Sequence, residues 1–232
     1  MRIKKLSLGK GAQSAEGLAV IIDVFRAFSC EPLMFHYGAR AVILEADVAR
    51  CLAMRAGAVL VGERDGLPIP GFDLTNSPFL IIKKGRPFFH RRKIIHRTTS
   101  GVTGALAALE RCDDVLLASF LTARATAEYV RQKAPRTVSI VAMGNRAVSK
   151  APEDEFCADY IESLLTGKPY DHIEAVREIV RHETARKFLR GDKPYYPRED
   201  PLICLQRDLF DFTLRAERKR GLVRAVPVSH LG

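Results

Sequence analysis

Two stretches of this 232-residue chain place charged side chains where an apolar run stops. In Asp23-Val24-Phe25-Arg26-Ala27 an acid follows Leu18-Ala19-Val20-Ile21-Ile22 and an arginine opens the next helical pattern. Ligands of α/β sheets bind at the carboxyl ends of strands, so Asp23 suits a metal ion or an oriented water and Arg26 an oxyanion. A plainer reading stands beside this one, since an aspartate at that point also caps a helix. The second stretch runs from Val61 to Pro78 and opens with Gly62-Glu63-Arg64-Asp65-Gly66. Loops beyond about 12 residues are uncommon and often functional. Turn bonds from Asp73 and Asn76 account for its glycines and prolines, but not for a Glu63-Arg64 pair at a strand end.

Two further segments extend the set. Thr98-Thr99-Ser100-Gly101 leads into an apolar helix, and backbone donors at a helix start, with glycine allowing close approach, make a phosphate cradle. The Gly-Lys-Ser/Thr of a Walker loop is absent. Pro152-Glu153-Asp154-Glu155 puts three acids in a first helical turn. Such acids oppose the helix dipole without any function, and they also supply the one or two carboxylates that magnesium takes beside water and substrate phosphate. A haloacid-dehalogenase phosphatase would need an aspartate at position 25, where this chain has Phe25.

The elements that must hold these residues read as strands alternating with helices. Residues 18–24, 40–44, 58–61, 115–118 and 137–142 are short apolar runs suited to strands covered on both faces. Residues 47–56, 101–112 and 122–133 carry apolar residues three or four apart. This predicts a layered α/β/α fold with a central mixed sheet. Beyond Pro152 the pattern turns mainly helical, with helices over 153–165 and 172–189, a loop over 191–197 and a last strand over 222–228 returning to the sheet edge. The chain reads as one domain over 1–232, with any subdivision near residue 150.

Composition narrows the class. No apolar run approaches the ~20 residues of a membrane helix, and the five cysteines are isolated, without a Cys-x-x-Cys pair. Free thiols fit a cytoplasmic enzyme, and Cys51 and Cys112 read as core fillers. The net charge of +10 gathers in two runs, Lys83 to Arg97 and Arg215 to Arg224. Solvated loops explain both. The competing class is a binding protein that uses those runs on nucleic acid, for which Phe88 and Phe89 are the interleaved aromatics.

Taken in order, Asp23 to Ala27, Gly62 to Pro78 with its Gly-Phe-Asp-Leu-x-Asn-Ser-Pro, Thr98 to Gly101, and Glu153-Asp154 with Cys157-Ala158 resemble the signature blocks of the 2-phosphosulfolactate phosphatase family of coenzyme M biosynthesis. Cys204 to Asp208 and Val226-Pro227 are similar to that family's tail. Phe28 stands in place of a small hydroxyl residue, Asp65 and Thr75 in place of glycines, and Ser100 in place of an asparagine.

The resemblance implies a magnesium-dependent hydrolase that cleaves 2-phosphosulfolactate, or a similar small acidic phosphate ester, to the hydroxy acid and phosphate. On that reading Asp23, Arg26, Glu63 and Arg64 are the catalytic set. Asn76, Ser77, Thr98, Thr99, Ser100 and Gly101 would hold phosphate, and Asp23, Glu153 and Asp154 would hold Mg2+. A non-catalytic relative is the alternative, and a homodimer is the assembly left open.

Overall fold

Leu18–Ile22 is buried at every position, as a strand covered on both faces must be. The computed structural model describes residues 1–229. In chain order they form β1 (Arg2–Ser7), α1 (Leu8–Gln13), β2 (Leu18–Ile22), α2 (Ala27–His36), β3 (Ala41–Leu44), α3 (Val48–Ala53), β4 (Ala58–Arg64) and β5 (Leu67–Pro68). There follow α4 (Pro78–Phe89), β6 (Lys93–Arg97), α5 (Gly101–Ala108), β7 (Asp114–Ala118), α6 (Ala123–Lys133), β8 (Thr137–Ala142) and α7 (Pro152–Thr166). The described chain ends with α8 (His172–Arg181), α9 (Glu183–Leu189), α10 (Glu199–Cys204), β9 (Phe212–Lys219) and β10 (Leu222–Ser229).

All ten strands join one mixed sheet in the order β1-β8-β2-β7-β9-β10-β3-β6-β4-β5. Two parallel groups, β1-β8-β2-β7 and β3-β6-β4, are spliced by the antiparallel β9–β10 hairpin. Period-two alternation sorts the apolar side chains into two layers. Ala19, Ile21, Val115 and Leu117 meet α1, α2, α4 and α5 on one face. Val20, Ile22, Leu116 and Ile140 meet α6, α7, α8 and α9 on the other, where Ile43, Leu60 and Ile95 pack around Cys51 of α3. The layered α/β/α expectation therefore holds. Truncating a central residue such as Ile21 to Ala would cost about 2–5 kcal/mol. All five cysteines are free and buried.

The structure corrects four local readings. The strand at 222–228 does not lie at the sheet edge: β10 is interior, between β9 and β3. Its partner β9 hides in a sequence where Arg215, Glu217, Arg218 and Lys219 dilute the apolar signal. The helix over 172–189 is two helices, because His182 is extended (φ −81°, ψ 152°) and caps α9 with its own ring.

Neither basic run is a loop. Residues 83–97 lie on α4, a short turn and β6, and the second run lies on the β9–β10 hairpin. There Arg215 and Arg224 pair with Glu217, and Arg218 with Glu110. Among the described residues no helix is long and apolar enough to cross a membrane.

Candidate active site

The carboxyl ends of β2, β4, β6 and β8 converge on one small polar cleft of about 60 Å³, at the side of an α/β sheet where ligands bind. The chain leaving β6 crosses the sheet so that α5 packs on β2 and β7. This brings Gly101 against Asp23, and a Cβ there would lie 2.8 Å from Asp23 Oδ2. Glycine is what allows the approach.

Asp23 extends β2 by one residue. Its Oδ1 accepts the Ala27 N–H at 3.1 Å, and the Gly101 N–H also donates to this carboxylate. Asp23 is not the N-cap of α2, a position taken by Arg26 without a side-chain bond, although it binds the first amide of that helix and lines the cleft. From the start of α7, Asp154 accepts Val24 N–H and Gly144 N–H, both at 2.7 Å, which ties the end of β2 to the turn after β8. Gly144 has φ +68°, and a Cβ there would meet Ser149 O at 2.3 Å. Glu153 takes the Thr184 hydroxyl at 2.7 Å.

Glu63 is held differently. Thr99 N–H (2.6 Å), Thr99 Oγ1–H (3.1 Å) and Gly66 N–H (2.5 Å) all donate to its carboxylate, and Arg97 donates to its carbonyl. This clasp closes the β4–β5 turn onto the segment after β6.

It also revises the expected phosphate cradle. The Thr99 amide serves Glu63, the Gly101 amide serves Asp23, and Thr98 Oγ1 caps the Val102 N–H. Those donors satisfy the helix start and its neighbours, leaving Ser100 and Thr99 as the segment's members that line the cleft. Ser77 is likewise engaged elsewhere, donating to Asp200 Oδ1 and capping Leu80 N–H, whereas Asn76 lines the cleft.

The cations differ from expectation as well. Arg26 lines the cleft, paired with Asp200 at 2.7 Å and with Tyr195 O at 3.0 Å. Its guanidinium lies 5.0 Å from the Phe188 ring centroid and 5.4 Å from that of Tyr196, a fixed and stacked cation. Arg64 is not in the cleft. Side chains alternate along β4, so with Glu63 buried Arg64 faces solvent.

The remaining cleft cations are Lys187 of α9 and Arg146 of the turn after β8. Arg146 pairs with Asp65 at 3.6 Å, which gives the Asp65 substitution a partner. Phe28 is fully buried in the core. Nothing in the structure explains Thr75, whose hydroxyl is buried without a partner.

Five carboxylates (Asp23, Glu63, Asp65, Glu153 and Asp154) face three cations across this cleft. Burial, then repulsion from Glu63, pushes Asp23 up to about 6 against its backbone bonds. Burial pushes Glu153 up to about 7, with Asp23 adding to the shift and Thr184 and Lys187 opposing it. Asp154 is raised well above its ordinary value, by burial and then by Asp23 and Glu153. Burial lowers Lys187. Among the described residues no three His, Cys, Asp or Glu side chains form a metal cage by themselves. Magnesium needs none, because it binds through one or two carboxylates and keeps its remaining positions for water and phosphate. Buried acids short of positive charge are a donor set that a divalent cation fits.

Lys187, Arg146, Thr184 and Tyr196 had no motif to announce them. Lys187 and Thr184 lie on a helix whose only sequence signal is its apolar period, and Tyr196 on the loop 191–197.

A buried acid cluster ringed by cations, at strand ends of a layered sheet, is the site of an α/β enzyme for a small anion. Comparison with known proteins gives that class its family. The profile described as 2-phosphosulpholactate phosphatase matches residues 6–212, and the chain belongs to this family of phosphoric monoester hydrolases. Similar proteins include three named "Probable 2-phosphosulfolactate phosphatase". The one from Bacillus subtilis (strain 168) is 29% identical, covering 86% of each chain. That from Thermoplasma volcanium is 30% identical over 89% of this chain and 92% of its own. That from Caldicellulosiruptor saccharolyticus is 37% identical over 75% of this chain and 72% of its own.

Proposed function

We propose that this enzyme hydrolyses 2-phosphosulfolactate, or a small phosphate ester with similar extra acidic groups, and does so with magnesium. The observation that carries the reading is the excess of buried carboxylate over cation in a cleft that must admit a polyanion. Without added positive charge, Asp23 and Glu153 would repel the substrate or remain protonated. Asp23 and Glu153 would hold the cation, with Asp154 beside them fixing the ends of β2 and β8. Bound there, magnesium would neutralise phosphoryl oxygens and lower the pKa of a bound water.

The protein's own residues supply position and charge, which is most of what phosphoryl transfer requires. Arg26 is immobilised by Asp200 and two rings, so it presents a planar donor face of fixed orientation to an oxyanion. Lys187, over the same Phe188 and Tyr196 rings, adds a point charge on the Glu153 side of the cleft. Ser100 and Thr99 line the wall between Asp23 and Glu63, and the Arg146–Asp65 pair stands at the same cleft.

The test is phosphate release from a panel of phosphorylated hydroxy acids, run with magnesium and with chelator. Turnover is expected on substrates bearing a carboxylate or sulfonate beside the phosphate, and none in chelator. Full activity in chelator removes the metal from the reading, and equal rates on a plain aryl phosphate remove the substrate class.

A further inference from the structure

Behind the cleft wall, three polar side chains that the proposed chemistry leaves idle run in a line from α2 to the pocket. Glu31 of α2 and His96 of β6 have fully buried side chains, and Asn76 is 2% exposed and lines the cleft. His96 Nδ1 is 2.7 Å from Glu31 Oε1, and His96 Nε2 is 2.9 Å from Asn76 Oδ1. An amide oxygen only accepts, so in this arrangement Nε2 carries a proton and donates it. On the other side of the ring, one proton is shared between Nδ1 and Glu31. Glu31 Oε2 is buried with no partner. Apolar side chains of the same volume would pack this space without that penalty.

The far end of the line supplies the reason. Among the described residues, no protein group takes a hydrogen bond from Asn76 Nδ2, yet this atom is not one of the buried atoms without a partner. It is therefore open to the cleft. We propose that Glu31 and His96 are positioning residues that lock the Asn76 amide with its NH2 group toward the pocket, as a fixed neutral donor to an oxygen of the bound phosphate ester. A flipped amide would present its carbonyl to an anion and would set its NH2 against the His96 N–H, so the imidazole tautomer decides which face the substrate meets. The inference rests on the cleft being the phosphate-ester site.

The test combines steady-state hydrolysis of 2-phosphosulfolactate with 15N NMR of histidine-labelled protein. Asn76→Ala is expected to raise KM roughly tenfold with a smaller change in kcat, the worth of one hydrogen bond. Asn76→Asp, equal in size but anionic, should raise it more. His96→Leu should reproduce the Asn76→Ala effect and His96→Gln should recover most of it, since a glutamine NH2 can also donate to Oδ1. If His96→Leu does not fold, the NMR measurement decides: Nε2 must carry a proton from pH 6 to 9. A bare Nε2 overturns the proposal, because it could only accept from Asn76. Asp23→Asn is the control. If it abolishes turnover while Asn76→Asp keeps the parent KM, the lock is overturned and the site stands. If Asp23→Asn turns over normally, the site is misplaced and the lock falls with it.

Discussion

Glu63 and Glu153 are both buried glutamates on one cleft, and they are held in opposite ways. Glu63 accepts three bonds from Thr99 and Gly66 and works as a clasp between β4 and the segment after β6. Glu153 has one hydroxyl partner, an acidic neighbour in Asp23, and an affinity for protons pushed up to about 7. A carboxylate whose oxygens are satisfied by the fold stabilises the fold. One left short of donors beside other acids stores a demand for positive charge, and such demands gather where ligands bind.

The largest expected effect separates the two sides directly. Asp23→Asn should lower kcat at least about 100-fold, the scale of a positioned catalytic group. It should change thermal stability little, because the bond lost from the Gly101 N–H is offset by removing a buried charge repelled by Glu63, and the amide oxygen can still accept from Ala27. Glu63→Gln should do the reverse. Its NH2 would face an N–H donor, at a cost of about 1–3 kcal/mol, or several degrees in Tm for a chain of this size, while kcat falls less than tenfold. Paired kinetics and melting curves decide it, and a Glu63→Gln protein that is stable but inactive would break the comparison.

The pH dependence of stability follows from the same contrast. In chelator, Asp23 and Glu153 titrate near 6 and 7 in the folded protein and near 4 when unfolded. The native state holds the extra protons in between, so stability falls as pH rises. The contribution is complete below about pH 4 and is lost as pH climbs through 7. It amounts to a few kcal/mol, or roughly 10 °C in Tm. Melting curves from pH 5 to 8 should slope downward in chelator and flatten in magnesium. A flat curve in chelator would mean that the cluster is not strained.

Sequence patterns carried the sheet scaffold well and the pocket lining unevenly. Strands such as 137–142 are apolar enough to be read directly; Asp23 follows such a run, and Glu153 and Asp154 open a helix that starts with Pro152, so an element boundary points to each. β9 and β6 escaped because charged residues interrupt them, Arg215, Glu217, Arg218 and Lys219 in β9 and Lys93 and Arg97 at the two ends of β6. Ser77 and Thr98 read as phosphate donors because composition does not show which donors the backbone itself will claim. Lys187 and Tyr196 come from the C-terminal part, brought to the cleft only by the packing of α9 and the loop after it, and no local pattern encodes that contact.

The smallest expected effect bears on Arg64, the residue that local pattern alone would place in the pocket. A cation at a strand end beside a functional glutamate is well placed in sequence, but strand alternation turns Arg64 outward when Glu63 turns in. Its removal takes away one charge screened by solvent, so Arg64→Ala should change KM for 2-phosphosulfolactate by less than about twofold. Lys187→Ala, which removes a half-buried cation from the cleft, should raise KM about tenfold and affect a plain aryl phosphate less, since the latter lacks the extra anions. Neutralising Arg91, Arg92 and Lys93 together should leave both substrates alone, because none of the three lines the cleft. If Arg64→Ala raised KM as much as Lys187→Ala, the hairpin carrying Glu63 would have to turn over on the substrate. The clasp between Glu63 and Thr99 would then be a moving part instead of a fixed one.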